Sequence, residues 1–284
     1  THSTSSAASD VYKRQTVYSE KPDIHEISDK AAELLTEVLE GNRLKQILNN
    51  PVIKAHFITV RCKGLIGRER QPGLTMGLLS SAVSNSISRE HLGKYYTRVV
   101  FSAPDTDLNI VDPCKIPTEI VTLNENNLYD ALMASGSIPG VLRGIKDIQG
   151  AEPGMYRDGG IVDYHFDFHF PNRKGLTLYP HFYAKPTPGW FDKMSKRRPH
   201  KISYDNAVIL APSKEFVAQL PKGKIADRKD FEAIPAEERI PYWQSILKEG
   251  DKLAQDFMEL MNPNTLRKHI KPLAFKTKKR KSTR

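Results

Sequence analysis

The sequence lacks any apolar run approaching the ~18 residues that a membrane-spanning helix requires. It also has only two cysteines, Cys62 and Cys114, at a separation that matches no metal or redox motif. We therefore expect free thiols in a reducing compartment, and hence a cytoplasmic location, with a structural disulfide as the alternative. Although only 39% of residues are hydrophobic, 284 residues suffice to bury a substantial core.

The last nine positions contain six basic residues and no acidic residue, so they account for six charges of the net charge of +10. A second basic cluster, Lys193 to Lys201, contributes five more. Such runs are typical of solvated chain ends. They also bind anionic phospholipid head groups, and each charge contributes about 1 kcal/mol to the binding free energy. Because no nucleic-acid recognition pattern accompanies the charge, we expect peripheral contact with an anionic membrane and no nucleic-acid partner.

Hydrophobic periodicity predicts an α/β fold, with a sheet covered by helices on both faces. Ser28 is the predicted N-cap of the first helical region, and Pro241 is predicted to break the last one. The predicted helices span 28–48, 72–88, 128–139 and 231–261. The predicted strands span 52–61, 95–102, 119–123, 175–182 and 206–211, with one more ending at Asp158.

The most informative stretch is Met155 to Asp163, in which Asp158 is followed directly by Gly159 and Gly160. Glycine adopts positive φ without a Cβ clash, so this pair allows a tight reversal beside whatever the carboxylate faces. An ordinary Asp-Gly turn between strands would look the same on these three residues alone. About twenty residues upstream, an apolar helix ends in Ser135-Gly-Ser-Ile-Pro139.

Taken together, the two blocks resemble the patatin-like phospholipases over roughly residues 50 to 215. The resemblance implies a three-layer α/β/α sheet and a lipid acyl hydrolase that cleaves phospholipid or glycerolipid esters without a metal or cofactor. It also implies that Asp158 is the acid of a Ser-Asp dyad, with Gly159 and Gly160 as the turn that places it.

The nucleophile of that family lies in a Gly-x-Ser-x-Gly elbow, and no such pentapeptide occurs in this sequence. The glycine-rich oxyanion segment is missing as well. Residues 1–15, which begin without Met and resemble adaptor read-through, are expected to be a non-native or disordered leader. We therefore predict a partial hydrolase domain over 16–215 that lacks its first elements and is inactive by itself, a helical extension over 216–270, and a basic disordered tail over 271–284.

Three other interpretations stay open. The chain could be a non-catalytic relative that binds a lipid or a partner. Ser135 or Ser137 could be nucleophiles, although close packing of a helix end explains them better. Finally, alternating polar residues could form one face of a strand and serve a metal-dependent hydrolase, although one strand is too extended to bring all of them to a single ion. These residues are Asp163, His165, Asp167 and His169.

Overall fold

A computed structural model describes residues 24–69, 72–227, 229–262 and 268–273. Within these residues there are two compact units. The larger covers 24–176 and 186–206, and the smaller covers 177–185 and the described residues from 207 onward. The predicted boundary at residue 215 does not coincide with this division. The leader over 1–15, and the tail apart from 271–273, lie outside the described residues.

The larger unit is built on a mixed five-stranded sheet with the strand order β3-β2-β1-β5-β4. Strands β2 and β3 are parallel, and the other neighbouring pairs are antiparallel. The predicted α/β class is therefore confirmed. The strands are β1 (His56–Cys62), β2 (Tyr96–Ser102), β3 (Thr118–Thr122), β4 (Ile145–Lys146) and β5 (Met155–Asp158).

Helices cover both faces of this sheet. All seven residues of β2 are buried, and since a strand alternates its side chains, both of its faces must be covered. Val99 and Phe101 pack in one core against the helix that ends at Ser135. Tyr96 packs in a second core, on the other face, with Leu74. The helices of this unit are α1 (Ile24–Leu39), α2 (Arg43–Leu48), α3 (Gly73–Ile87) and α4 (Leu128–Ser135).

The first helix begins earlier than predicted. Ser28 is not its N-cap but lies inside α1, where its hydroxyl donates to the carbonyl of Ile24 at 2.6 Å and accepts the backbone N–H of Arg143 at 2.9 Å. A serine favours a cap because it can bond nearby backbone groups, and here the same capacity is used within the helix and across to another segment.

The smaller unit contains a parallel pair of strands, β6 (Thr177–Pro180) and β7 (Ala207–Leu210). Its helices are α5 (Lys214–Gln219), α6 (Asp230–Ala233) and α7 (Ala236–Leu260). The predicted break at Pro241 is wrong, because this proline lies inside α7. A proline removes one backbone hydrogen bond, and side chains on either side of Pro241 hold this turn of the helix: Arg239 donates to the carbonyl of Ile234 at 3.2 Å, and Trp243 donates to Asp230 at 3.1 Å.

The chain that follows the Asp-Gly-Gly turn is held by a buried ionic network. Arg98 of β2 donates to both carboxylate oxygens of Asp163, at 2.6 and 2.9 Å, and to Asp112 at 2.7 Å. Burial alone would lower the pKa of Arg98, but the attraction of Asp163 and Asp112 outweighs burial and raises it. The guanidinium of Arg89 adds a second contact to Asp163 at 3.2 Å.

We expect Arg98→Met to lower the free energy of unfolding of this unit by about 3–5 kcal/mol, because it leaves two buried carboxylates without their main partner. The matched control is Lys30→Met, since Lys30 forms an exposed pair with Glu26 on α1 and should cost less than about 1 kcal/mol. Urea unfolding measures both. Equal effects of the two substitutions would contradict this account of the network.

Candidate active site

Asp158 is the last residue of β5, and it lies directly beside the end of α4. Its backbone N–H donates to the carbonyl of Ser137 at 3.1 Å, which joins the two sequence blocks that are twenty residues apart. Across the sheet Asp158 is paired with Thr59 of β1. Directly opposed residues share a face, so the carboxylate lies on the α4 side, together with the fully buried Thr59.

The turn after Asp158 is a short 3-10 segment, Gly159–Ile161. The Asp158 carboxylate accepts the backbone N–H of Gly160 at 2.7 Å, which fixes the rotation of the side chain. Asp158 itself is half-buried. The carboxylate is therefore held in one orientation while part of its surface stays accessible.

The prediction that Gly159 and Gly160 are needed for positive φ is wrong, because neither residue has a positive φ. The first is needed for close approach instead. A Cβ on Gly159 would overlap the carbonyl oxygen of Ile58 and lie 2.7 Å from its carbonyl carbon. A Cβ on Gly160 would lie 3.0 Å from the Asp158 carboxylate that its own N–H binds. The turn thus passes against the backbone of β1 at a distance that only glycine permits.

The two serines at the end of α4 pack as the preferred interpretation predicted. Ser135 donates its hydroxyl to the carbonyl of Leu132, and Ser137 donates to that of Met133, each at 2.8 Å. Ser137 is fully buried. Their hydroxyl protons serve the end of their own helix, which is not the arrangement of an activated nucleophile.

An absence of leading strands predicts an unpaired sheet edge beside Asp158, and the structure agrees only in part: β4 covers Met155 and Tyr156, whereas none of the described strands pairs with Arg157 and Asp158 on that side. Strand β5 lies between β1 and the two-residue β4, which pairs with it at Tyr156 and Met155. The turn that precedes β5 is closed by Asp147, whose carboxylate accepts the backbone N–H of Gly154 at 2.8 Å. This local bonding places β4 at the sheet edge beside the first two residues of β5, whereas the backbone N–H of Asp158 bonds to Ser137.

The four polar residues of the metal interpretation do not form one strand face and do not converge. Asp163 binds Arg98 and Arg89, and the His165 ring binds the backbone of Thr187. His169 forms an isolated bridge with Val111. The segment 163–168 is not a strand, and His169 forms only that single bridge. The geometry therefore gives no four-ligand site from these residues.

A different group, Cys114, Asp167 and His200, has its potential ligand atoms within 4.8 Å of one another. Its carboxylate is already engaged: Asp167 accepts the His200 backbone N–H at 2.7 Å and the Ser203 hydroxyl at 2.9 Å. Burial raises the pKa of the Cys114 thiol to about 11, which keeps it protonated near neutral pH. These contacts anchor the segment around His200 to Asp167.

One further expectation is tested by the described residues. Cys62 and Cys114 are free thiols, as predicted. Trp190 and Phe191 are half-buried and pack on the domain, and the ring of Phe191 lies 6.4 Å from that of Tyr96. No helix within the described ranges is long and apolar enough to span a bilayer.

The close approach of Gly159 to β1 can be tested by adding one methyl group. We expect Gly159→Ala to lower the free energy of unfolding by about 1–3 kcal/mol, because β1 or the turn must shift to make room. Gly175→Ala is the control, since a Cβ there meets nothing within 4 Å. Urea unfolding compares the two variants, and a neutral Gly159→Ala would show that the turn is not in tight contact.

Comparison with known proteins identifies no family for this chain. No protein-family model, curated protein or solved structure matches the chain. The two sequence blocks and the geometry of the Asp158 turn are therefore the features that bear on function.

Proposed function

We propose that this chain is part of a lipid acyl hydrolase of the patatin-like type, in which Asp158 is the acid of a Ser-Asp dyad. The observation that carries the proposal is the hydrogen bond from the Asp158 backbone N–H to Ser137. It brings the Ala-Ser-Gly-Ser-Ile-Pro block and the Asp-Gly-Gly turn side by side, as the resemblance implies. The bond from Gly160 that orients the carboxylate adds to this support.

In the proposed reaction, Asp158 takes the proton from a serine hydroxyl as its oxygen attacks the carbonyl carbon of an acyl ester. The tetrahedral intermediate collapses, the leaving alcohol takes the proton that Asp158 had accepted, and an acyl-serine remains. Asp158 then takes a proton from a water molecule as its oxygen attacks the acyl carbon. The second tetrahedral intermediate collapses, Asp158 returns this proton to the serine oxygen, and the fatty acid is released. No histidine, metal or cofactor takes part in this scheme.

The serine has to come from another part of the parent polypeptide, because these 284 residues contain no Gly-x-Ser-x-Gly segment. The backbone donors for the oxyanion would come from the same region. The proposed parent fold is the three-layer α/β/α sheet of this family, and the helices on both faces of the five-stranded sheet support it. Phospholipids or related glycerolipids are the proposed substrates.

The missing pentapeptide also favours a second candidate, a non-catalytic relative that binds a lipid or a partner. The two candidates differ in what accompanies this chain in its parent. A hydrolase requires an elbow serine in that polypeptide, whereas a binding protein does not.

The expected outcome for the 284-residue chain is no turnover of 4-nitrophenyl butyrate above that of its own Asp158→Asn variant. For a polypeptide that joins this chain to a Gly-x-Ser-x-Gly segment encoded with it, we expect hydrolysis. There Asp158→Asn should lower kcat by about 10²–10⁴-fold, the usual contribution of a general base. The control is Asp107→Asn, which changes an exposed carboxylate and should leave kcat unchanged.

Two results would count against the proposal. Turnover by the 284-residue chain that Asp158→Asn abolishes would place the nucleophile within these residues. A longer polypeptide whose activity survives Asp158→Asn would remove Asp158 from the chemistry altogether.

A further inference from the structure

Unlike an ordinary surface helix, α3 exposes large apolar side chains to solvent. Its buried positions include Gly77, Ser81 and Asn85, whereas its solvent face carries four large apolar side chains. These are Met76, Leu79, Val83 and Ile87, with exposed fractions of 55, 61, 64 and 73%. We call these four residues the α3 apolar face. No residue of the helix is charged, although a solvent-facing helix surface is normally polar.

The orientation of α3 is fixed by contacts on its inner side. A Cβ on Gly77 would lie 2.9 Å from the backbone nitrogen of Ile66, so the helix packs there at a distance that only glycine permits. Asn85 donates to the buried carboxylate of Asp192 at 2.8 Å. Rotating the helix to bury its apolar side chains would break both contacts. The α3 apolar face is therefore a stable feature of the surface.

Basic side chains lie on both sides of this face. On the Ser80 side, Lys94 lines a cavity of about 210 Å³ together with Ser80. On the other side, Met194 and Arg197 line a cavity of about 450 Å³ together with Ser86. Met194 is 98% exposed, and the loop that carries it also holds the exposed residues Lys196 and Arg198. At the start of the helix, the Arg68 side chain packs against Gly73.

From this arrangement we propose that the α3 apolar face and its basic rim form a docking surface for an anionic lipid membrane. The apolar side chains enter the boundary between head groups and acyl chains, and the rim pairs with anionic head groups. A second copy of the chain fits less well, because it would bring two rims of the same charge together. The pair Trp190 and Phe191 is half-buried, and the ring of Phe191 packs on that of Tyr96, so we do not assign the pair as the inserting element.

The surface does not depend on the acyl hydrolase proposal, and the test uses lipids that cannot be hydrolysed. The probe is a sedimentation assay with vesicles of ether-linked phosphatidylglycerol and phosphatidylcholine at a one-to-one ratio. The control vesicles contain ether-linked phosphatidylcholine alone. We expect the 284-residue chain to partition at least ten-fold more strongly onto the anionic vesicles.

Two paired variants locate the binding surface. Leu79→Gln with Val83→Gln should lower the partition coefficient at least ten-fold, since both side chains lie on the α3 apolar face. Val52→Gln with Ile53→Gln should change it less than two-fold, although those side chains are more exposed than Leu79 and Val83, at 84 and 70%. Glutamine is a good helix former, so α3 should persist, which circular dichroism checks.

A third variant tests the basic rim. Lys94→Gln with Lys196→Gln should weaken binding about 25-fold, since each charge near an anionic surface contributes about 1 kcal/mol, or five-fold. The proposal is overturned if the wild-type chain fails to sediment with anionic vesicles in 0.1 M salt, or if the Leu79 and Val83 variant binds as well as wild type. A wild-type dimer that the same variant dissociates in analytical ultracentrifugation would also overturn it, and would assign the face to a second copy.

Discussion

The ion pair between Arg98 and Asp163 is the interaction on which the arrangement of the larger unit depends. Arg98 belongs to the interior strand β2 and is fully buried, and Asp163 follows Asp158 by five residues. Removing such charges from water is costly, so the pair is tolerated only because its hydrogen bonds are satisfied. Asp163 accepts from Arg98 and Arg89, and Arg98 also binds Thr118 and Asp112. The pair therefore fixes the position of the segment that follows β5.

The same network determines the unusual surface of α3. Arg89 lies 3.6 Å from Asp192, which in turn accepts hydrogen bonds from Asn85 and Arg197. Buried carboxylates require polar partners, and Asn85 of α3 supplies one to Asp192. This bond, together with the close packing of Gly77 on Ile66, fixes which side of α3 faces inward and leaves its apolar face outside. An anionic lipid surface would complete this arrangement, because it can satisfy both the apolar face and the basic rim.

Much of the secondary structure could be predicted from the sequence, and the exceptions have physical causes. The strand over 96–102 and the helix over 73–87 follow from their residue types, and the structure places them within a residue of the prediction. The pattern did not show which side of α3 is buried, because that depends on Asp192, which is distant in the sequence. The alternation from Asp163 to His169 predicts a strand, but the buried arginines bind Asp163 and override local preference. Arg89 and Arg98 carry no sequence signal for this role.

The surroundings of Asp158 limit the direction from which a serine can reach it. Asp158 and Thr59 share the face of the sheet that α4 covers, and three residues later Ile161 already packs in the core on the opposite face. The chain therefore crosses between the two layers within the Gly159–Ile161 turn. Since both faces are occupied and β1 lies against Gly159, the approach that remains is from beyond the carboxyl end of β5. The half-buried Asp158 would meet the serine of the proposed dyad from that direction.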